Sequence, residues 1–420
     1  MFPSGSFRLP TVHFTLLGIY EIATWLPQHG SSSKGNSGGT MRLSALLVLP
    51  ALLRSSIAYT GLSDASLKSL PSPGDDFDIH SGKLLAPILR PRVPGTLGSE
   101  AVLSHFVNFF TANLPRWKLT FQNSTSTTPT SHGKEIPFTN LIATRDPPWA
   151  KGDGDVGRLA LVAHYDSKLT PEGFIGATDS AAPCAMLLHA ARSIDDALTR
   201  KWDAMEAEGV GAGGYDGMEE HQGVQILLLD GEEAFMSWTH TDSLYGARAL
   251  AEEWDDVMNP AMSTYQTPLA SIDLFLLLDL LGAANPRVPS YFKTTHWAYQ
   301  HMASLENRLR KHSKFKSDAG GSSLRFFHEA DKQDADSWLG GYIEDDHIPF
   351  MAKGVEVLHL IPSPFPAVWH KVEDDGEHLD LPTVEDWAML TTAFAAEWMD
   401  LEGHLVAGHE KRWKHEKAEL

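Results

Sequence analysis

Apolar residues fall along this chain in two rhythms. From Gly98 to Asn113 they recur at Val102, Leu103, Phe106, Val107, Phe109 and Phe110, a one-sided stripe that predicts an amphipathic helix. Pro94-Gly95 before it and Pro115 after it punctuate the ends. Elsewhere the apolar residues come as short runs: FTNLIAT around Asn140, RLALVAHY from Arg158, VQILLLD from Val224, IDLFLLLDLLG from Ile272 and VEVLHLI from Val355. Several are apolar at successive positions, as strands must be when helices cover both faces of their sheet. Helical stretches separate them, over 180–198, 243–256, 295–312 and 384–401. This alternation predicts a single-domain α/β fold, a three-layer sandwich with a mostly parallel central sheet. The stretch DAMEAEGVGAGGYDGMEEHQG, residues 203–223, is acidic and Gly-rich and reads as a solvated surface loop.

Composition narrows the chemistry. With 42% hydrophobic residues in 420 the chain can bury a large core, and its formal net charge of −20 would repel a nucleic-acid backbone or an anionic membrane surface. The one cysteine, Cys184, excludes an internal disulfide and a thiolate metal cluster, and APCAMLL around it reads as helix interior. Any metal is therefore held by histidine and carboxylates.

Near the start, Met41-Arg42, the run LSALLVLPALL and the small residues Ser56-Ile57-Ala58 have the order of a secretory signal, forty residues into the chain. The polar Ser/Gly-rich stretch before it resembles neither a signal nor a membrane span. A misplaced start codon explains the order, with translation expected from Met41 and a mature chain from near Tyr59. The run from Leu43 to Leu53 is too short to cross a bilayer. A secreted or secretory-lumen protein is expected, with Asn123-Ser124-Thr125 as a glycosylation acceptor.

GVGAGG matches a dinucleotide-binding fingerprint at Gly209, Gly211 and Gly214, but a helix precedes it where the mechanism needs a strand. HEADK, from His328, lacks the second histidine of a zinc-binding helix. The strand ends are more informative. RLALVA leads into His164-Tyr165-Asp166, GATDSAAP carries Asp179, VQILLLDG leads into Glu232-Glu233, LFLLLDL carries Asp279, and SPFPAVWH ends in His370. Open α/β sheets gather their sites at the carboxyl ends of strands, and two histidines with several carboxylates suit a catalytic zinc. Taken singly, each has an ordinary reading as a loop or helix cap, Asp179-Ser180 before a helix above all.

HYDSK from His164, GATDSAAPCAMLL, LLLDGEEAF, SWTHTDSLYG, LLDLLGAANP, IEDDHIPF and VLHLIPSPFPAVWH resemble, in order, the motifs of glutaminyl-peptide cyclotransferases, relatives of the zinc aminopeptidases. The resemblance runs from about Leu89 to Leu401. It implies Asp179, Glu233 and His370 as ligands of one zinc ion, Glu232 as the acid/base, and Asp279 and Asp345 as two further active-site acids. Trp238, Phe365 and Trp369 would line the substrate pocket. The implied reaction cyclises an N-terminal glutamine, and by extension glutamate, of peptides or proteins to pyroglutamate. The α-amine attacks the side-chain amide and ammonia leaves, with zinc polarising the carbonyl. The domain plan that goes with this reading is an extension over 1–40, a signal over 41–58, a lead-in over 59–88, a catalytic domain over 89–402 and a charged tail over 403–420. A monomer acting on free N-termini is expected.

The same fold serves two-zinc aminopeptidases, in which a histidine, a bridging aspartate, a glutamate, a second aspartate and a final histidine hold the metals. His164, Asp179, Glu233, Asp279 and His370 supply that set too, so the ligand types leave hydrolysis of peptides open. A metal-free ectodomain would have lost a ligand or the Glu232 base, and none is missing. Animal secreted relatives pair a cysteine before the HYDSK histidine with that of PCAM; Ala163 stands there in this chain, leaving Cys184 free. Those relatives also tend to carry Gln where Glu344 stands, and their loop after Lys168 is longer.

Overall fold

The computed structural model describes residues 61–211, 221–317, 325–338 and 342–405. The expected extension, the signal run, Gly214 and the tail beyond Leu405 lie outside them.

Six strands form one sheet: β1 (Lys118–Thr127), β2 (Glu135–Arg145), β3 (Gly157–His164), β4 (Gln222–Leu229), β5 (Ile272–Leu278) and β6 (Val357–Leu360), in the order β1-β2-β4-β3-β5-β6. Strands β4, β3, β5 and β6 run parallel, and β2 is antiparallel to both of its neighbours. Alternation along β3 divides the interior. Leu159, Leu161 and Ala163 join the larger apolar core, whereas Ala160 and Val162 join the smaller one on the opposite face. Helices α2 (Leu97–Asn113), α3 (Ala182–Ala207), α5 (His296–Lys311) and α7 (Leu381–Trp398) bury their apolar residues in the larger core, and α4 (Tyr245–Asp256) in the smaller. The sandwich has the expected three layers. Helix α7 is buried nearly all round because it lies against both α3 and α5.

Two sequence readings change. The region from Asp203 was expected to be loop, yet α3 continues through it to Ala207, because DAMEA is made largely of good helix formers. Gly209 and Gly211, both at positive φ, turn the chain beyond the helix end. Strand β1 was not anticipated. KLTFQNSTST has one buried residue, Gln122, and otherwise faces solvent as an edge strand, so no apolar run announces it. Asn123 is exposed on it, its carboxamide oxygen accepting from the Thr139 hydroxyl at 2.9 Å. Residues 61–88 supply Leu62, Leu67, Leu70, Phe77, Leu84, Leu85 and Ile88 to the larger core, with Leu67 on a short helix α1 (Asp64–Ser69). The buried Glu397 of α7 accepts from the Leu62 N–H at 2.6 Å and from Arg308 at 2.7 Å, fixing this segment to the domain. Among the described residues, no helix is long and apolar enough to cross a membrane.

The parallel strands all end at one edge, where β3 delivers His164, β4 Asp230 and β5 Asp279 side by side. Truncating the fully buried Leu161 to Ala on the central strand is expected to cost about 2–5 kcal/mol in denaturant unfolding. Met262→Ala, at a side chain 95% exposed, is expected to change stability by less than about 0.5 kcal/mol.

Candidate active site and metal centre

Beyond β4 the chain turns at Gly231, whose φ is 74° and where a Cβ would meet the Phe138 ring at 2.3 Å; only glycine fits. The carbonyls of Asp230, Gly231 and Glu232 accept from the N–H groups of Gly246, Tyr245 and Leu244 at 2.7–3.0 Å, so the start of α4 grips this turn. The buried Asp166 carboxylate grips it from the other side. It accepts from the Glu232 N–H at 3.0 Å and the Glu233 N–H at 3.1 Å, and its Oδ1 lies 3.3 Å from His164 Nδ1. The ends of β3 and β4 are thereby locked together, with both glutamate side chains buried.

The loop carrying Asp179 is built around Arg92, a fully buried guanidinium. It donates to the carbonyls of Tyr165 and Ile175, to that of Gly176 at 3.0 Å and to that of Asp179 at 3.2 Å. Asp374 supports the same loop, accepting from the Thr178 N–H at 2.8 Å and hydroxyl at 3.0 Å. Asp179 itself has non-helical backbone angles, and α3 starts only at Ala182 without a side-chain cap. Its carboxylate is thus free of the capping duty that the sequence offered as its ordinary reading.

Asp179, Glu233 and His370 converge. His370 Nε2 lies 3.5 Å from Asp179 Oδ2 and 3.7 Å from Glu233 Oε1, and one ligand atom from each falls within 4.8 Å of the others. Glu233 Oε1 is buried without a hydrogen-bond partner, while Oε2 faces Lys168 Nζ at 3.3 Å. Burial and the neighbouring Asp179 push the Glu233 carboxyl up to about 8, with Lys168 and His164 opposing. Two carboxylates and an imidazole with an orphaned oxygen between them fit a catalytic zinc ion. Glu232 lies beside this triad but outside it. Burial holds its carboxyl well above the usual range, His164 counteracting and Glu233, Asp345 and Asp346 adding to the effect.

A second group shares Asp179. His164 Nε2 is 3.0 Å from Asp179 Oδ1 and 3.4 Å from Asp279 Oδ1, and Asp279 Oδ1 also accepts from the Ser180 hydroxyl and from the Leu280 N–H at 2.8 Å. Asp345, buried, bonds to His359 Nε2 at 2.7 Å, and the His359 ring lies 4.5 Å from that of His347. At the opening, Trp369 stacks on His370 with ring centres 4.0 Å apart and meets Phe365 at 4.8 Å. Trp238 is 37% exposed and donates from Nε1 to Glu344 at 2.8 Å.

The peptidase family M28 model matches residues 140–395, spanning these groups from β2 to α7. A glutaminyl-peptide cyclotransferase of Bothrops jararaca is 37% identical over 326 residues, covering 76% of this chain and 80% of its own. The chain belongs to the glutaminyl-peptide cyclotransferases of peptidase family M28. The solved structure of Macrostomum lignano glutaminyl cyclase superposes with a TM-score of 0.61 at 28% identity, covering 81% of this chain and 98% of that one. A Zn-dependent exopeptidase from Parabacteroides distasonis shares the fold, with a TM-score of 0.51 at 18% identity, covering 79% of this chain and 99% of that one. Both branches of the sequence reading thus meet on one architecture.

Several groups on which this family site depends escaped the sequence reading. Asp166 was noted at the end of its strand but given no role, and His359 could have been found as the one polar residue in a four-residue buried strand. Nothing in the sequence near Arg92 or Asp374 marks them, since the site groups they hold are 73 or more residues away.

Arg92→Met removes the donor that several buried carbonyls share. It is expected to cost about 3–5 kcal/mol in denaturant unfolding and to weaken zinc retention; unchanged stability would contradict the role assigned to it. The Glu233 proton gives a second expectation. In metal-free protein the native state holds that proton more tightly than the unfolded chain does. Its stabilising contribution is complete below the ordinary carboxyl value of 4.5 and is lost as pH rises through about 8. A bound cation replaces the proton, so the Tm gap between zinc-loaded and chelator-treated protein should widen from about pH 5 to about pH 8.

Proposed function

We propose that the protein cyclises N-terminal glutamine, and glutamate, of peptides and proteins to pyroglutamate, with Glu232 as its acid/base. The observation that carries this reading is a buried carboxylate adjacent in the chain to Glu233 of the Asp179–Glu233–His370 triad but not part of it, whose proton affinity the charges of Asp345 and Asp346 help to raise. Asp179, Glu233 and His370 would hold zinc, which when bound supplies a Lewis acid for the γ-carbonyl. Glu232 takes a proton from the α-amine as its nitrogen bonds to the side-chain carbonyl carbon. It then returns that proton to the side-chain nitrogen as the old carbon–nitrogen bond breaks and ammonia leaves. Asp279 and Asp345 accept hydrogen bonds from the amine and the amide. Phe365, Trp369 and Trp238 confine the folded side chain, converting a loose ring closure into a near-attack arrangement.

One zinc ion per chain goes with this reading. Asp279 Oδ1 already receives the Ser180 hydroxyl, the Leu280 N–H and His164, which satisfies it without a second cation. The convergence of His164, Asp179 and Asp279 nonetheless favours, as the second reading, a two-zinc aminopeptidase. The signal-like run ahead of Tyr59 and the exposed Asn123 support a glycosylated protein of the secretory lumen or cell exterior, and nothing in the reaction requires more than a monomer.

Zinc-loaded protein incubated with Gln-peptides should release ammonia and pyroglutamyl peptide in equal amounts. Release of free amino acids from peptides, with no ring product, would establish the hydrolase instead, and metal analysis should return one zinc per chain rather than two. Glu232→Gln should lower kcat by about 10²–10⁴-fold while the zinc content stays unchanged.

A further inference from the structure

Resting on the cyclotransferase reading, we infer that Glu344 selects the residue that follows the N-terminal glutamine and favours a cationic side chain there. Its neighbour Asp345 is 1% exposed and turned into the site, whereas Glu344 itself is exposed at the surface. Successive side chains diverge in this way when a loop borders a pocket. The Glu344 carboxylate is held in place by the 2.8 Å bond from Trp238 Nε1. Trp238 lies five residues beyond Glu233, so this bond joins the two loops that carry the site's acids on their outer side.

A peptide whose first residue reaches Glu232 and Asp345 must continue outward past that bridge. Met236 and Tyr342, each two residues along the chain from one partner of that bridge, are exposed large apolar side chains. Two lysines near the triad have partners of their own within the protein. Lys168 Nζ faces Glu233 and the Ala234 carbonyl, and Lys371 Nζ is bonded to the Ala367 carbonyl at 2.7 Å. Glu344 is thus a fixed negative charge on the rim, placed where the second side chain emerges. An arginine or lysine there finds an anion already oriented by an indole; an aspartate or glutamate meets like charge.

The test compares kcat/KM for three peptides alike except for arginine, alanine or glutamate after the N-terminal glutamine. The wild-type protein should prefer arginine over glutamate by about fivefold, the scale of an exposed ion pair, with the difference carried by KM. The preference should shrink toward unity as salt is raised to about 0.5 M. Glu344→Gln keeps an oxygen to accept the Trp238 bond and removes only the charge, so the ratio should fall to within about twofold of one. A wild-type ratio near one, or one that survives Glu344→Gln, overturns the assignment. Failure to cyclise even the alanine peptide would instead overturn the cyclotransferase reading, which keeps the two failures distinct.

Discussion

Carboxylates do not share a protein interior without compensation, and at one edge of this sheet Asp166, Asp179, Glu232, Glu233, Asp279, Asp345 and Asp346 are all buried. The surrounding structure can be understood as the set of answers to that problem. Asp166 is compensated by two main-chain N–H groups and an imidazole, and Asp279 by a hydroxyl, an N–H and the same imidazole. Arg92 places a full positive charge beneath Asp166 and Asp179 while binding only backbone carbonyls, so it offsets their field without occupying their oxygens. What is left over is chemically specific. Glu233 keeps an oxygen with no partner, Asp346 keeps both of its oxygens so, and Glu232 keeps an affinity for a proton. In the proposed reaction a cation would meet the Glu233 oxygen, and a proton in transit would meet the affinity of Glu232.

The fold is what brings these charges so near one another. Parallel strands deliver their exits to a single edge, and adjacent strands put residues more than sixty positions apart into contact. His164 and Asp279 meet because β3 and β5 are neighbours, and Glu232 meets Asp166 because β4 flanks β3 on the other side. The antiparallel pair β1 and β2 takes no part in the metal triad, yet it braces the acidic turn. Thr139 donates to Asp230 at 2.9 Å, and Asn140 accepts from the Asp230 N–H while donating to the Gly246 carbonyl.

How much of this was legible in the sequence depended on whether its cause was local. The buried strands announced themselves as unbroken apolar runs, and the helices between them as stripes. The polar edge strand β1 did not, because its pairing with β2 is specified by main-chain bonds and not by a buried face. In the site, Asp179, Glu233, Asp279 and His370 were visible as polar residues terminating apolar runs, and they do converge. Arg92, Asp374 and the hydrogen bond that joins His359 to Asp345 were not legible, since each owes its meaning to a partner brought close only by folding.

Cys184 lies under the same edge, fully buried, its thiol donating to the His164 carbonyl and its proton held until about pH 12 by burial. With no second cysteine in the chain, nothing in this architecture waits on an oxidant to form or yields to a reductant once formed. The geometry of the site is thereby uncoupled from the redox poise of its surroundings. Neither an oxidising nor a reducing surrounding makes or breaks a covalent crosslink within this chain.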